Sequence, residues 1–433
     1  MLVSLKSPDE SQRGDSIGRW LMWLAGLCML YIVAPPAAAS ALSRTIEVPI
    51  DHDDPASERA ALYYELGSAF DSSKPTVFIV ADAQQFYVRK GSVAELQESL
   101  FGSDFNVVGI VGRGSTEAFV ERTQGADGLT DWTAAWRIFQ SRQWIEDIDW
   151  VRRDLLGPDG TVMLYGRSGG AFLVHQYLAV HGRHVSRAFT QAPLNPFIVR
   201  ELGLNSDKFW EEITPAERQQ IAKVLTDHPE KREDMIRTLQ RQNFFHTVEE
   251  LPTARHALIS ALAAGDEASY AKARRDYQVD SINELMNAPG GVAIRVRLFE
   301  FFEPSGARAR LADAKIYPDL ENQRYLAAPL LSLVDTGKIM HPSFDSASLH
   351  KLDTEVFVLA GRHDHTADFR SLISLAAHYP RHALFVADDN HTFQKLGAVG
   401  HVRALQTSFL RYGLHSSQLQ SAMQSTTSLR WQE

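Results

Sequence analysis

The sequence predicts an α/β protein: a mostly parallel sheet with helices on both faces and an all-helical insertion. Three observations carry this. Short apolar runs rich in β-branched residues alternate with helical patterns at both ends of the chain. From about residue 205 to residue 325 no such run occurs, and the pattern is helical throughout. Finally, Gly166-Arg167-Ser168-Gly169-Gly170 follows directly on the apolar run 161–165, which reads as a tight turn from a buried strand into a helix.

The elements follow in order. Residues 45–50 alternate like an edge strand and end at Asp51-His52-Asp53-Asp54-Pro55. Residues 61–67 form a second strand candidate. No helical pattern separates these two, so the sheet starts antiparallel. Residues 75–81 and 105–111 read as buried strands. Trp144, Ile145, Ile148, Val151 and Leu155 repeat at helical spacing, and Gly157-Pro158 stops that helix. The strand 161–165 and the glycine-flanked serine come next. Residues 171–180 are apolar on nearly every face, as a central buried helix is. Strands are expected again at 185–190, 354–360 and 383–387. Within the insertion, Thr214-Pro215-Ala216-Glu217 and Ser281-Ile282-Asn283-Glu284 read as capping boxes that start helices. The expected division is 1–41 as leader, 42–204 and 326–433 as two parts of the α/β core, and 205–325 as a helical cap. Placed after the strand that follows the serine turn, the cap would lie over the carboxyl ends of the strands and act as a lid.

The chain has 433 residues and 44% hydrophobic content, enough for a large core plus an insertion. Its net charge of -9 argues against nucleic acid as a partner. Residues 20–34 form a run of 15 residues without a charge, followed by Pro35-Pro36 and Ala37-Ala38-Ala39-Ser40-Ala41. This reads as a signal peptide cleaved after Ala39 or Ala41, with export to the periplasm or secretion. Extended by the alanines to about 20 residues, the run would instead serve as a retained membrane anchor. Cys28, the sole cysteine, lies inside it. A processed chain would therefore have neither disulfides nor a thiol nucleophile.

A serine hydroxyl needs a base to take its proton, and the base needs an orienting group. In a strand–turn–helix arrangement of this kind the chain order is serine, acid, histidine. Gly361-Arg362-His363-Asp364 leaves the end of the strand 354–360, and Asp388-Asp389-Asn390-His391 leaves the end of the strand 383–387. The assignment is Ser168 as nucleophile, His391 as general base and then acid, and Asp364 as the group orienting His391. Asp368 is the alternative acid. His363-Asp364-His365 also invites a metal reading, but adjacent strand residues face opposite ways and no further ligands accompany them. Neither a metal nor an organic cofactor is required. His175, His181 and His184 flank the central helix and are read as structural.

On these motifs, residues 43–415 resemble an α/β-hydrolase. The stretch Val108-Gly109-Ile110-Val111-Gly112-Arg113-Gly114-Ser115 is similar to a strand and R-G-x turn of that family. Val48-Pro49-Ile50-Asp51-His52 and the long helical cap resemble an exported branch that includes proline iminopeptidases and tripeptidyl aminopeptidases. In that branch a cap glutamate holds the substrate's α-amine. The resemblance of Arg297-Leu298-Phe299-Glu300-Phe301-Phe302-Glu303 makes Glu300 the candidate, with a helix-surface carboxylate as the alternative. One departure stands out. The family's glycine-rich turn after the third strand, whose N–H groups form half of the oxyanion hole, reads here Ala81-Asp82-Ala83-Gln84-Gln85. Gly169 would supply one donor, and Ala83 or Gln84 the other. Asp82 would oppose a developing oxyanion unless it points away. A serine at the elbow argues against epoxide or haloalkane chemistry, for which the family uses aspartate. The expected activity is acyl-enzyme hydrolysis of a small-molecule or short-peptide substrate. An aminopeptidase and an esterase both fit, and a non-catalytic binding protein on this fold is a third reading. A membrane is a partner only if the N-terminal segment is retained.

Overall fold

The computed structural model describes residues 42–312 and 315–431, so the leader candidate lies outside the described residues. Eight strands occur where the apolar runs predict them. They are β1 (Ser43–Pro49), β2 (Arg59–Leu66), β3 (Thr76–Val80), β4 (Asn106–Val111), β5 (Val162–Arg167), β6 (Val185–Gln191), β7 (Glu355–Gly361) and β8 (His382–Ala387). They form one sheet in the order β1-β2-β4-β3-β5-β6-β7-β8. β2 is antiparallel to both β1 and β4, and every later pairing is parallel. This is an α/β-hydrolase fold with a helical cap.

Burial explains the composition of the strands. β3, β4 and β7 are buried at every residue and carry largely apolar runs, whereas the edge strand β1 buries only Val48. Helices α1 (Ser141–Leu156) and α2 (Ser168–His181) pack on the sheet. Strand order reverses between β3 and β5, which pair in register with Val80 opposite Gly166. The turn after β3 and the serine turn after β5 therefore sit side by side at the carboxyl ends. Open α/β sheets build their sites at such a switch point.

Between β6 and β7 the described chain is helical. The helices used below are α3 (Phe209–Glu212), α4 (Pro215–Asp227), α5 (Arg232–Arg241), α6 (Leu251–Ala264), α7 (Val279–Asn287), α8 (Gly291–Phe302) and α9 (Pro318–Asp335). Thr214 caps α4 with the reciprocal bonds of a capping box, and Pro215 occupies its first turn. Ser281 does not start a helix. Gln278 turns the chain with a left-handed φ of 56°, and α7 is already under way at Val279. The expected cap boundary at 325 also moves, because α9 runs straight through it. The reason lies in packing. Phe209, Ile221, Leu225, Ile236 and Ile259 close a second hydrophobic core within the cap. Phe299 and Phe302 of α8 and Leu326 and Leu330 of α9 belong instead to the main core beneath. The insertion is thus rooted in the α/β body through α8 and α9. Among the described residues no helix is long and apolar enough to cross a membrane.

Candidate active site

The glycines around Ser168 are there for want of space. A Cβ on Gly166 would come within 2.8 Å of the backbone of α2, and one on Gly170 within 2.4 Å of the Val80 carbonyl. Gly169 lies under the turn after β3, where a Cβ would fall 1.9 Å from Asp82 Oδ2. Ser168 itself has φ +48°, a left-handed conformation that costs a non-glycine residue of order 1–3 kcal/mol. Buried Phe172, Leu173, Val174, Tyr177 and Leu178 hold α2 from several sides, so the strained turn is fixed from behind. The hydroxyl projects from a strand-to-helix elbow.

The loops after β7 and β8 meet that hydroxyl. His391 Nε2 lies 2.9 Å from Ser168 Oγ, and His391 Nδ1 lies 2.7 Å from Asp364 Oδ2. Asp364 is oriented in turn, because its Oδ1 accepts the N–H groups of Thr366 and Ala367 at 2.7 and 2.8 Å. The two loops are stitched together, with the His363 N–H on the Asp389 carbonyl. Gly361 lets them cross, since a Cβ there would meet the Asn390 carbonyl at 2.6 Å. Burial opposes a charged His391, but the Asp364 charge and hydrogen bond, with Asp319 behind, outweigh it and raise its pKa above the ordinary imidazole value. Phe244 of the cap covers the ring edge-on at 5.5 Å.

Asp368, the alternative acid, is occupied elsewhere. It caps the following helix through the Arg370 N–H and pairs with the Arg370 side chain at 2.6 Å. His363 and His365 diverge, the first to Asp388 and the second to Glu212 and Arg255, so they do not converge on a metal. His175 bonds the Tyr379 hydroxyl, and burial pushes its pKa down to about 3. His181 meets Glu146, and Arg183 donates to His184.

The turn after β3 accounts for its own donors. The Asp82 N–H reaches Gln85 Oε1, the Gln84 N–H reaches Asp82 Oδ1, and the Gln85 N–H reaches the Asp82 carbonyl. Gln85 Nε2 ties the turn to the elbow through the Arg167 carbonyl at 2.6 Å. The Ala83 N–H has no partner among the described residues. Gly169 is in the first turn of α2, where N–H groups have no intrahelical acceptor. The two expected oxyanion donors are therefore both uncommitted, whereas the Gln84 N–H is spent.

Glu300 is not where an amine anchor must be. It is 3% exposed, its Oε1 accepts the Ser141 N–H at 2.7 Å, and its Oε2 accepts from Arg297 at 2.8 Å. Both oxygens are committed inside the protein, because Glu300 sits on the inner face of α8. It is not a helix-surface carboxylate either. The residue that sequence reasoning passed over is Arg297, one helical turn earlier in the same quoted segment. An i, i+3 Arg–Glu spacing was the available signal. Arg297 reaches Asp82 and the Gly169 carbonyl as well as Glu300.

The cap touches each loop of the site. Glu212 of α3 and Arg255 of α6 hold His365, next to Asp364. Asn390 Nδ2 donates to the His246 carbonyl at 2.8 Å, and Gln394 donates to that of Phe244. Arg297 of α8 reaches the elbow. A lid that swings free is not what this describes, because the cap is part of the frame that holds the loops. Behind His391, burial raises the Asp319 carboxyl to about 6. Asp207 is raised to about 8 by burial and by Asp319, whose N–H it accepts at 2.7 Å.

No family model matches the chain, and no curated protein matches it. Among solved structures it is similar to MGS-M2, an alpha/beta hydrolase enzyme from a Medee basin deep-sea metagenome library. That match has 10% identity and a TM-score of 0.42, over 82% of this chain and 97% of that one. It is similar to VinJ, with 13% identity and a TM-score of 0.42 over 86% and 100%. It is also similar to the esterase EaEST from Exiguobacterium antarcticum, with 14% identity and a TM-score of 0.38 over 79% and 91%. These are likenesses of fold, and nothing of the site's chemistry follows from them.

Proposed function

We propose that the protein is a serine hydrolase that cleaves esters through an acyl-enzyme on Ser168. The observation that carries this is the unbroken chain from Ser168 Oγ through His391 to Asp364, with links of 2.9 and 2.7 Å. His391 Nε2 takes the hydroxyl proton as Oγ attacks the substrate carbonyl carbon. The carbonyl oxygen becomes an oxyanion, received by the Ala83 and Gly169 N–H groups. The C–O bond to the leaving group breaks, and His391 passes the proton to the departing alcohol. Water, deprotonated by His391, then attacks the acyl carbon, the bond from that carbon to Oγ breaks, and His391 returns the proton to Ser168 Oγ as the acid leaves. Asp364 holds the imidazole with its proton on Nδ1 throughout.

Ester rather than N-terminal peptide cleavage is favoured by Glu300, whose two oxygens are occupied and leave nothing for an α-amine. The test is hydrolysis of p-nitrophenyl esters alongside free-amine and N-blocked aminoacyl p-nitroanilides. The expected result is ester turnover that disappears in Ser168→Ala. Turnover of free-amine anilides alone would move the reading to an aminopeptidase. For the leader candidate, processing after Ala39 or Ala41 is read from the intact mass of protein recovered from the exported fraction.

A further inference from the structure

Arg297 stands out as a buried guanidinium, 3% exposed, that joins four groups. Nε donates to Asp82 Oδ2 at 3.0 Å, and Nη2 donates to the Gly169 carbonyl at 2.9 Å. Nη1 donates to Gln176 Oε1 at 3.1 Å and to Glu300 Oε2 at 2.8 Å. The ring of Phe301 lies 4.4 Å from the guanidinium carbon and that of Phe172 5.7 Å, so water is largely excluded around it. Its targets are the turn after β3, the elbow and α2, and it comes from the cap.

We propose that Arg297 is the positioning residue of the oxyanion site: it cancels the Asp82 charge and clamps the turn bearing Ala83 against the elbow bearing Gly169. This rests on the serine-hydrolase reading and deepens it. Asp82 is 4% exposed, adjoins Ala83 in sequence and crowds Gly169 in space. Unpaired, its carboxylate would raise the energy of any negative charge arriving at those two N–H groups, the more so in a dry site. Paired with Arg297, it becomes a brace. Its Oδ1 holds the Gln84 N–H, which shapes the turn, while its Oδ2 links the turn to the cap. A glycine-rich turn gives close approach by lacking side chains. Here Asp82 and Arg297 obtain a fixed approach through an ion pair, and the Gly169 carbonyl bond sets the facing N–H by fixing its residue. The cap thereby contributes to catalysis through a residue that touches no reacting atom.

The test uses an alkyl fluorophosphonate on the full chain. Ser168 Oγ attacks phosphorus as its proton passes to His391 Nε2, the P–F bond breaks and fluoride leaves, and the phosphoryl oxygen occupies the oxyanion site. Arg297→Gln is expected to lower the labelling rate constant and ester kcat by about 10²–10³-fold, the cost of losing an oxyanion donor, with KM within about twofold. Adding Asp82→Asn to Arg297→Gln is expected to recover about tenfold or more, because the charge stranded beside the Ala83 and Gly169 N–H groups is gone, while Glu300, on the far side of the guanidinium, still accepts the Ser141 N–H. A merely structural role would show in the melting temperature, with the labelling rate constant and kcat of the folded fraction left at wild-type values. If Arg297→Gln does not fold, Arg297→Lys decides. One ammonium cannot span Asp82, Gly169 and Gln176 together, so kcat falls about tenfold or more at constant KM. A reactive wild type with Arg297 variants at wild-type rates, or a folded Arg297→Gln that Asp82→Asn does not rescue, overturns this proposal alone. A wild type inert to the phosphonate overturns the serine-hydrolase reading and this proposal with it.

Discussion

Replacing Asp364 by Asn is expected to slow the reaction of Ser168 by about 10⁴-fold while leaving the fold intact. The size follows from the hydrogen bonds. Oδ1 accepts from the Thr366 and Ala367 N–H groups at 2.7 and 2.8 Å, and Oδ2 faces His391 Nδ1 at 2.7 Å. An asparagine keeps its carbonyl oxygen on the two backbone donors. Turning its NH₂ toward them instead would strand both, at about 1–3 kcal/mol each. The NH₂ therefore faces His391 and donates to Nδ1. The imidazole proton moves to Nε2, which points at Ser168 Oγ and can no longer accept its proton. Loss of the correct tautomer costs about 10⁴-fold in serine triads, or about 5 kcal/mol of transition-state stabilisation. The assay is the second-order rate of fluorophosphonate labelling, with thermal melting to verify folding. Asp368→Asn serves as the control and is expected to label within about threefold of wild type, because that carboxylate is held by Arg370 away from His391. An Asp364→Asn protein that labels within tenfold of wild type would refute the assigned role.

Three further outcomes follow from the same geometry. Gly169→Ala is expected to lower ester kcat by about 10²–10³-fold, since its Cβ meets Asp82 Oδ2 at 1.9 Å and Gln84 Nε2 at 3.0 Å and pushes the oxyanion turn away; steady-state kinetics on the folded variant reads it. As the proposed base, His391 works only when neutral, and its pKa is raised, so kcat/KM is expected to climb with pH through a midpoint above about 6.5; a midpoint below about 6 contradicts the Asp364 pairing. Asp207 is raised to about 8 in the fold and titrates near 4 when unfolded, so between those values the native state holds one more proton and stability falls as pH rises, by about 1.4 kcal/mol per pH unit from this group. Asp207→Asn is accordingly expected to flatten the pH dependence of the melting temperature between pH 4 and 8.

What could be read from sequence was whatever shows as local periodicity or chain order. The run 161–165 with Gly166 and Gly170 marks a strand forced into a tight turn, and the structure shows why each glycine is needed there. Asp364 and His391 stand at the ends of β7 and β8, and parallel topology brings all such ends to one edge of the sheet. Long-range polar pairing leaves no such trace. Arg297 and Asp82 lie 215 residues apart, and nothing around either announces the other. Glu300 was legible as a cap carboxylate, but its burial depends on which face of α8 meets the core. The cap boundary was misplaced for a related reason. Helical periodicity says that 205–325 is helical, not which helices pack on the body and which close a core of their own. Ser281 has the letters of a capping box, yet the left-handed Gln278 starts the helix before it.

The proposed chemistry stands or falls with Ser168 as a nucleophile activated by His391. Peptide mapping of the fluorophosphonate adduct by mass spectrometry tests it most directly. One adduct per chain is expected, on Ser168, absent in Ser168→Ala and formed at least about 10³-fold more slowly in His391→Ala. An adduct on any other residue, or a wild type that forms none, would contradict it.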